Sequence, residues 1–434
     1  MDPLLIGALG LGAMFVLILL QVPIGISMIA TGIVGFGLIA GFGPALSILA
    51  TEPASNIAST DLAVVPLFLL MGSFASSGGL SADIYNVAYA LLGHRRGGLA
   101  YATVGGCGLF GAICGSSPAT AATFGRVALP EMLKRGYSPS FAAGTIAAGG
   151  TLGSIVPPSV IMIIYAVVAE QFILALFVAA IIPAIIAIAF HLIAAWTYIR
   201  INPKAGPAGP RVAWPERWKA IRESWAVILL VLAVIGGIYG GVFTVNEAAA
   251  VGAALSFLFA LARRRLTWAT FWSALIETAS NTAMIYIIIF GASIFSYFIN
   301  VAHVPEALTA WVQSLPLSPL AVIFVLLVIY IILGCIFDTV SAMLITLPFV
   351  LPIVTGLGYD PVWWGIINVV VVELGMITPP IGINVFVLYG VARTIPLSQI
   401  FRGVMPFVAS DFFRLMLLTL VPALTLWLPK LFDM

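Results

Sequence analysis

Long apolar stretches follow one another along almost the whole chain and are separated by short polar or proline-containing turns. A helix needs about 20 mostly apolar residues to cross a lipid bilayer. Stretches of suitable length cover residues 4–22, 24–49, 61–92, 140–170, 173–199, 224–241, 246–262, 268–299, 361–392 and 398–428. Thr244 and Glu247 have the spacing of a capping box that opens the seventh of these. The pattern predicts an all-α polytopic membrane protein.

Two further apolar stretches, 99–133 and 317–357, contain glycine or polar residues at the centre, where a crossing helix should be most apolar. Basic residues flank the first of them on both sides, at 95–96 and at 134–135. Because basic residues concentrate on the cytoplasmic face, this stretch is predicted to enter and leave the membrane on that side. It is therefore predicted to be a re-entrant helical hairpin.

The remaining basic residues support one topology. Continuing from the first hairpin, the basic loop 200–222 and the arginines at 263–265 fall on the cytoplasmic side. The second hairpin, 317–357, then enters from outside, and both termini lie outside. The basic residues that this arrangement leaves away from the cytoplasmic face are Arg126, Arg414 and Lys430, out of 18.

Motifs recur when the chain is shifted along itself by 222 positions. The sequence GYSP at 136–139 aligns with GYDP at 358–361, and a proline pair at 157–158 aligns with another at 379–380. Since the predicted topology gives the two copies opposite orientations, the chain contains an inverted-topology repeat, as many secondary transporters do. The predicted domains are a first repeat at 1–199, a cytoplasmic linker at 200–223 and a second repeat at 224–434.

Each proline pair lies within an apolar span. Proline lacks an amide proton and clashes with the preceding turn, so broken helices are predicted at 140–170 and 361–392. In lipid, the freed backbone groups must face protein or a water-filled cavity. Exposed carbonyls suit Na⁺, and the N-termini of half-helices suit a carboxylate.

The hairpin tips offer matching chemistry, because they contain Ser116-Ser117 and Asp338-Thr339. We predict that each tip and the nearby break hold one Na⁺, with the substrate between the tips. The predicted Na⁺ ligands are Gly115, Ser116, Ser117, Gly153, Ile155, Pro157, Phe337, Asp338, Thr339, Gly375, Thr378 and Pro379. The predicted substrate-binding residues are Ser117, Pro118, Ala119, Thr120, Pro158, Ser159, Thr339, Ser341, Pro380 and Asn384. The simpler alternative is that the tip residues are helix N-caps in tight turns.

Three other features have two interpretations each. Asp338 is an ionisable group deep in a span, which is functional by default as a cation ligand or a proton site. Glu373 either tunes the second site or pairs with a nearby donor. Arg126 either meets a substrate carboxylate or extends to the inner interface.

Composition excludes several classes of protein. The chain is 62% hydrophobic and only 8% charged, far from the balance of a soluble enzyme or a nucleic-acid-binding protein. Its three histidines have no metal-ligand spacing, so no transition metal and no cofactor beyond the coupling ion is expected.

The most distinctive motifs are GAICGSSPATAATFGRVALPEMLKRGYS at 111–138, AAGGTLGSIVPPSVIMIIYA at 147–166 and GYDPVWWGIINVVVVELGMITPPIGINVFVL at 358–388. With them the chain resembles the large membrane subunit of TRAP (tripartite ATP-independent periplasmic) transporters over essentially its whole length. The resemblance implies an elevator-type transporter in a bacterial inner membrane, driven by a Na⁺ gradient. It also implies two partners, a small four-helix membrane subunit and a periplasmic binding protein that delivers an organic acid such as a C4-dicarboxylate or a sialic acid.

Two alternatives remain at this stage. A stand-alone Na⁺/dicarboxylate symporter would share the architecture without needing a binding protein. An intramembrane enzyme would need a positioned nucleophile and base, or paired carboxylates. The histidines are distant in sequence from Ser116 and Ser117, and Asp338 has no close carboxylate. A transporter is therefore favoured over an enzyme.

Overall fold

The computed structural model describes residues 2–432, which fold into helices joined by short turns. Within that range, seven helices are long and apolar enough to cross a membrane, and up to nine spans result if each of two bent pairs is one span. The predicted all-α polytopic membrane fold is confirmed.

From residue 2 to the linker, the structure has ten helices. They are α1 (Pro3–Leu19), α2 (Ile24–Ala40), α3 (Phe42–Ala58), α4 (Thr60–Ser77), α5 (Leu80–Leu92), α6 (Gly98–Cys114), α7 (Ser117–Lys134), α8 (Pro139–Ile155), α9 (Val160–Val168) and α10 (Ile173–Ile201). Within the linker, a 3₁₀ turn at Pro203–Ala205 is followed by the short helix α11 (Trp214–Glu223).

Between the linker and residue 432, the structure has ten more helices. They are α12 (Trp225–Tyr239, with a π-helical segment at Leu232–Gly236), α13 (Val245–Ala262), α14 (Trp268–Val301), α15 (Val304–Ser314), α16 (Pro319–Ile336), α17 (Thr339–Gly356), α18 (Pro361–Gly375), α19 (Ile383–Val391), α20 (Leu397–Leu420) and α21 (Ala423–Leu431).

The helices recur at the same spacing as the sequence motifs. The helices α1 and α12 begin 222 residues apart, as do α7 and α17, and α8 and α18. The long helix α14 takes the place of α3 and α4 together. Equivalent pairs also pack in equivalent ways, because α2 packs on α14 while α4 packs on α13. The two halves therefore interlock, with each contributing helices to the other's packing.

Glycines allow the closest of these crossings. A Cβ atom added to Gly291 of α14 would lie 2.6 Å from the carbonyl oxygen of Gly25 in α2. One added to Gly144 of α8 would lie 2.1 Å from the carbonyl carbon of Gly403 in α20. Small residues let helix backbones meet in this way, which is how helices associate tightly where apolar burial gives no advantage over lipid.

Three of the predicted spans are divided in the structure. The span 24–49 ends at Ala40, because Gly41 adopts φ +97° and a new helix starts after it. The span 61–92 is divided at Gly79, which has φ +78°. The span 398–428 is divided before Pro422, which cannot donate the hydrogen bond that would continue α20.

The hairpins and broken helices lie where the polar centres and proline pairs are. The arms α6 and α7 form the first hairpin, and α16 and α17 form the second. The helices α8 and α9 meet at an angle of 42° across four residues. Seven residues, 376–382, separate α18 from α19.

Candidate functional site

The tip of the first hairpin, residues 115–120 (tip 1), begins with a tight turn between α6 and α7. Gly115 ends α6 with φ +64°, a left-handed conformation that glycine adopts without steric cost. Ser116 is extended, and its side chain makes no capping hydrogen bond to the first turn of α7. The N–H groups that open α7 therefore have no side-chain cap.

Tip 1 rests on residues 153–159, the break between α8 and α9 (break 1). A Cβ atom added to Gly153 would lie 2.8 Å from the carbonyl oxygen of Ser116 and 2.6 Å from the hydroxyl of Thr120. One added to Gly111 would lie 2.6 Å from the Cα atom of Gly153. Because the backbones are in direct contact, the structure brings together the tip and the break that the sequence pairs.

Break 1 leaves buried polar groups unpaired. In a continuous helix, the carbonyls of Gly153 and Ser154 would accept from the N–H groups of residues 157 and 158, but both are prolines. Neither carbonyl accepts from another backbone N–H within residues 2–432. The hydroxyls of Thr120, Ser154 and Ser159 are buried and lack hydrogen-bond partners in the same range. Such groups are suited to an ion or an ordered water.

The second hairpin tip, residues 337–341 (tip 2), is capped by its own acidic residue. Asp338 accepts hydrogen bonds from both the backbone N–H and the hydroxyl of Ser341. Capping, the simpler interpretation of the tip residues, therefore describes Asp338 but not Ser116. Asp338 is half-buried, so its carboxylate also remains accessible from the space between the tips.

The break between α18 and α19, residues 375–382 (break 2), satisfies more of its own backbone. The carbonyl of Gly375 accepts from the N–H of Thr378 at 2.9 Å, and that of Met376 accepts from the N–H of Asn384 at 3.1 Å. The N–H of Gly382 donates to Cys335 in α16 at 3.3 Å, which ties the break to the second hairpin.

The two proline pairs also differ in burial. Pro157 and Pro158 are buried, whereas Pro379 and Pro380 are exposed. A Cβ atom added to Gly375 would nevertheless lie 2.6 Å from the carbonyl carbon of Gly334, so the second hairpin packs on break 2 as closely as the first does on break 1.

A central polar cluster joins the two repeats. Glu373 is 1% exposed, and the Thr339 hydroxyl donates to its Oε1 atom at 2.8 Å. Ser117 and Ser154 of the first repeat also face this carboxylate. The side-chain amide of Asn384 donates to the Ser117 hydroxyl at 2.7 Å. Both interpretations of Glu373 are thus compatible with its place, since it pairs with a donor and lies beside both tips.

A cavity of about 380 Å³ separates the two tips from α14. Its lining includes Gly115, Ser116, Pro118 and Ala119 of tip 1, Asp338 and Thr339 of tip 2, and Glu277 and Asn281 of α14. Three of the predicted substrate-binding residues and four of the predicted Na⁺ ligands therefore line one space, with Thr339 belonging to both sets.

An adjoining cavity of about 240 Å³ shares Ser116, Glu277 and Asn281 with the first. Arg126 lines its wall, and the guanidinium donates to the Thr123 hydroxyl at 3.5 Å. The structure therefore places Arg126 beside tip 1, within the same crevice.

The other predicted residues surround this space without lining the cavity between the tips. Ser117 and Thr120 are buried on the inner side of tip 1, and Ser341 is bound to Asp338. Thr378 donates to the carbonyl of Leu374 at 2.6 Å. Phe337 opens tip 2, and Asn384 lies in the first turn of α19. The remainder lie within the breaks: Ile155, Pro157, Pro158, Ser159, Pro379 and Pro380.

The structure contains a buried cluster of ionisable side chains that was not predicted from the sequence. His191 of α10 lies 2.9 Å from Asp411 of α20, and the guanidinium of Arg414 lies 3.2 Å from the same carboxylate oxygen. All three side chains are at most 1% exposed. An acidic and a basic residue three positions apart within an apolar span are the signal that could have found it. Glu277 and Asn281 are polar residues four positions apart within the apolar helix α14, and their place in a span is a comparable signal.

Comparison with known proteins places the chain among transporters. It matches the family described as "Tripartite ATP-independent periplasmic transporter, DctM component" over residues 11–424. It is 37% identical over 375 residues to the C4-dicarboxylate TRAP transporter large permease protein DctM of Pseudomonas aeruginosa, covering 86% of this chain and 87% of that protein.

The chain is also similar to a sialic acid permease and to a transporter of known structure. The sialic acid TRAP transporter large permease protein SiaM of Vibrio cholerae is 30% identical over 411 residues, 94% of this chain and 95% of that protein. The solved structure of the YdaH transporter of Alcanivorax borkumensis superposes with a TM-score of 0.58 at 16% identity, covering 89% of this chain and 90% of that one. This last likeness concerns the fold alone.

Proposed function

The chain belongs to the DctM component family of the tripartite ATP-independent periplasmic transporters, and on that premise we propose that it takes up an organic acid by coupling to Na⁺. It is the large membrane subunit of such a secondary transporter. The matched relatives are named as transporter permeases, which agrees with a protein that moves its substrate without converting it.

The observation that carries the proposal is the cavity between the two tips, with an uncapped helix on one wall and an acidic residue on another. The unpaired N–H groups that open α7 carry partial positive charge, which stabilises a carboxylate. Arg126 lies farther along the same crevice and would attract the second carboxylate of a dicarboxylate. We propose that the substrate binds here, against tip 1.

Break 1 supports the first Na⁺ site. Na⁺ is a hard cation that needs oxygen ligands, and unwound backbone carbonyls supply such ligands in other secondary transporters. The free carbonyls of Gly153 and Ser154 and the unpaired hydroxyls of Thr120 and Ser159 are oxygens of this kind.

Tip 2 supports a second Na⁺ site of different composition. Asp338 and Glu373 are carboxylates on either side of Thr339, and the second oxygen of Glu373 has no hydrogen-bond partner in residues 2–432. A bound cation would offset the cost of burying negative charge at this position.

We propose that the hairpins and broken helices move together as the carrier of an elevator, with helices such as α2 and α14 as the fixed scaffold. The central polar cluster supports this, because its hydrogen bonds join tip 2 to α18 and tip 1 to α19, the two helices on either side of break 2. The basic residues support a bacterial inner-membrane location with both termini outside.

The partners follow from the family. We propose that a small four-helix membrane subunit and a periplasmic binding protein complete the transporter. The isethionate relative named DctMQ supports the first of these, since this chain matches 66% of that protein's length. The C4-dicarboxylate relatives favour a dicarboxylate over a sialic acid as substrate, because they are more similar to this chain.

The decisive experiment is uptake into liposomes that contain the purified chain, with and without its candidate partners. We expect uptake only with both partners and an inward Na⁺ gradient. Uptake by the chain alone would instead support the stand-alone symporter. Ser117→Ala and Asp338→Ala should weaken the Na⁺ dependence while leaving the protein folded; if both variants keep the wild-type response, the tip assignment is wrong.

The topology has a separate test. Arg96→Cys and Arg135→Cys flank the first hairpin, and both should react with an impermeant thiol reagent from the cytoplasmic side. Labelling from opposite sides would show that α6 and α7 together cross the membrane. The native cysteines are buried, so they should contribute little background.

A further inference from the structure

A charged cavity lies where the linker helix α11 meets α5 and the end of α13. It has a volume of about 850 Å³. Its ionisable lining residues are Lys219, Arg222, Arg263 and Arg265, which are basic, and Asp83 and Glu223, which are acidic. The cavity therefore has an excess of positive charge.

Only part of that positive charge is neutralised by neighbours. Arg263 forms an ion pair with Asp83 and donates to the backbone carbonyl of Glu223 at 3.2 Å. Lys219 lies 3.9 Å from the carboxylate of Glu223. Arg222 and Arg265 make no ion pair within residues 2–432, although both line the cavity. Two guanidinium groups therefore remain available to an anion, and Arg263 is held as part of the wall.

A second cavity begins on the other side of the junction between α11 and α12. It has a volume of about 320 Å³, and almost all of its lining is apolar. Its walls come from α5, from Gly105 and Leu109 of α6, and from Ile221, Val227 and Ile228 beside the junction. Ile221 lines this cavity while the next residue, Arg222, lines the charged one, so the two cavities are neighbours across one turn of chain.

The surroundings place the junction at the level of the lipid headgroups. The helices α11 and α12 differ in direction by 54°, so α11 leaves the line of α12 as an interfacial helix does. Trp218 and Trp225 line the charged cavity and are half exposed, as tryptophans are at membrane–water interfaces. The basic residues predict that this face is cytoplasmic.

We propose that this junction binds one anionic phospholipid, with its phosphate between Arg222 and Arg265 and an acyl chain in the apolar cavity. Basic pockets between helices on the cytoplasmic side bind such headgroups. A free phosphate would satisfy the arginines equally well, but it would leave the adjoining apolar cavity without an occupant. The site lies apart from the tips, so it is independent of the substrate and the ions.

The test is native mass spectrometry of the purified full chain after incubation with phosphatidylglycerol, or with phosphatidylcholine of the same acyl chains. We expect the wild type to bind phosphatidylglycerol at least tenfold more tightly. Each basic residue near the membrane surface contributes about 1 kcal/mol, so the pair Arg222→Gln with Arg265→Gln should weaken that binding by about tenfold or more. Equal binding of the two lipids would overturn the proposal.

Two controls separate the charge of the site from general charge and from free phosphate. Arg211→Gln with Arg264→Gln removes the same charge from exposed residues that do not line the cavity, and it should leave the binding unchanged. An equal loss in this control would show that net charge, and not the cavity, attracts the lipid. Inorganic phosphate at millimolar concentration should not displace the lipid; complete displacement would show a free-anion site instead.

A further variant tests whether the acyl chain occupies the apolar cavity. A Cβ atom added to Gly105 would meet no atom within 4 Å, so Gly105→Phe should fill the apolar cavity without disturbing the helix. We expect it to weaken phosphatidylglycerol binding several-fold. Gly12→Phe in α1, where the added Cβ atom would also meet open space, is the matched control and should have no effect. Unchanged binding by Gly105→Phe would show that the acyl chain does not occupy this cavity.

Discussion

The two repeats follow one backbone plan, yet their tips and breaks present different groups to the central cavity. In the first repeat, tip 1 is uncapped and break 1 has free carbonyls and unpaired hydroxyls. In the second, Asp338 caps its helix, and the carbonyls of Gly375 and Met376 accept from the N–H groups of Thr378 and Asn384. The first site thus offers neutral oxygens and open N–H groups, whereas the second offers carboxylates. The two repeats therefore share one backbone arrangement but differ in the groups that their tips and breaks present.

Buried charge shows the same contrast. In residues 2–432, the buried carboxylates and guanidinium are Glu373, Asp411 and Arg414, all of the second repeat. At a shift of 222 positions the first repeat has Thr151, Ala189 and Leu192 in their places. The contrast makes definite predictions, because a change in the second repeat should have effects that the equivalent change in the first does not.

The largest effect is expected at Asp411. Asp411→Asn would leave the buried Arg414 without its anionic partner, and breaking a buried pair in this way costs about 3–5 kcal/mol. Thermal unfolding in detergent should show a large loss of stability. Glu306→Gln, an exposed carboxylate of the same repeat, is the control and should change little. Adding Arg414→Met to Asp411→Asn should recover most of the loss, since the unpaired guanidinium is then removed; failure to recover would contradict the account.

The second-largest effect is expected at Glu373, and it should appear in ion coupling. Glu373→Gln keeps the shape but removes the negative charge beside Thr339. Hydrogen bonds to charged groups contribute about 1.5–3 kcal/mol, so the Na⁺ concentration for half-maximal uptake should rise about tenfold or more. Thr151→Val at the equivalent position removes only a hydrogen bond within its own helix and should leave this value nearly unchanged. Equal effects of the two changes would remove the asymmetry between the repeats.

The third-largest effect is expected at the glycines where each hairpin packs against its break. A Cβ atom added to Gly375 would lie within 2.8 Å of backbone atoms only, whereas one added to Gly153 would meet a side-chain hydroxyl first. Overpacking costs about 1–3 kcal/mol, and we expect Gly375→Ala to be the more destabilising of the two in thermal unfolding. Gly390→Ala, where the added atom would meet open space, is the control. A larger loss for Gly153→Ala would mean that break 1 is the more rigid.

The smallest effect concerns the start of α13. Thr244 and Glu247 form the capping box that the sequence predicts, whereas the equivalent helix α2 begins after Pro23 with no side-chain cap. Thr244→Ala should reduce the stability by about 1 kcal/mol, detectable as a slightly lower unfolding temperature. No change would show that tertiary packing alone holds this helix end.

The sequence predicts the fold well where local chemistry decides it. The proline pairs and the polar hairpin centres locate both breaks and both tips, because proline and glycine act on their own backbone. It does less well at Gly41 and Gly79, since a glycine inside an apolar stretch is compatible with either a continuous helix or a turn.

The partners of buried side chains are harder to predict. Asn384 meets Ser117 across 267 positions, and His191 meets Asp411 across 220. No pattern within a window of sequence contains both members of such a pair, so these contacts depend on how the helices pack. The Na⁺ and substrate assignments of the tip residues stay predictions until transport is measured.

The difference between the repeats also affects the relative populations of the outward-open and inward-open forms. In a perfectly symmetric inverted repeat, exchanging the halves would convert the outward-open form into the inward-open form, and the two would be equally populated at rest. The buried carboxylate of Glu373 has no counterpart in the first repeat, where Thr151 occupies the equivalent position, so it removes this degeneracy. The empty carrier should therefore have a preferred resting orientation, whose bias is set by a few side chains and can be adjusted without altering the frame.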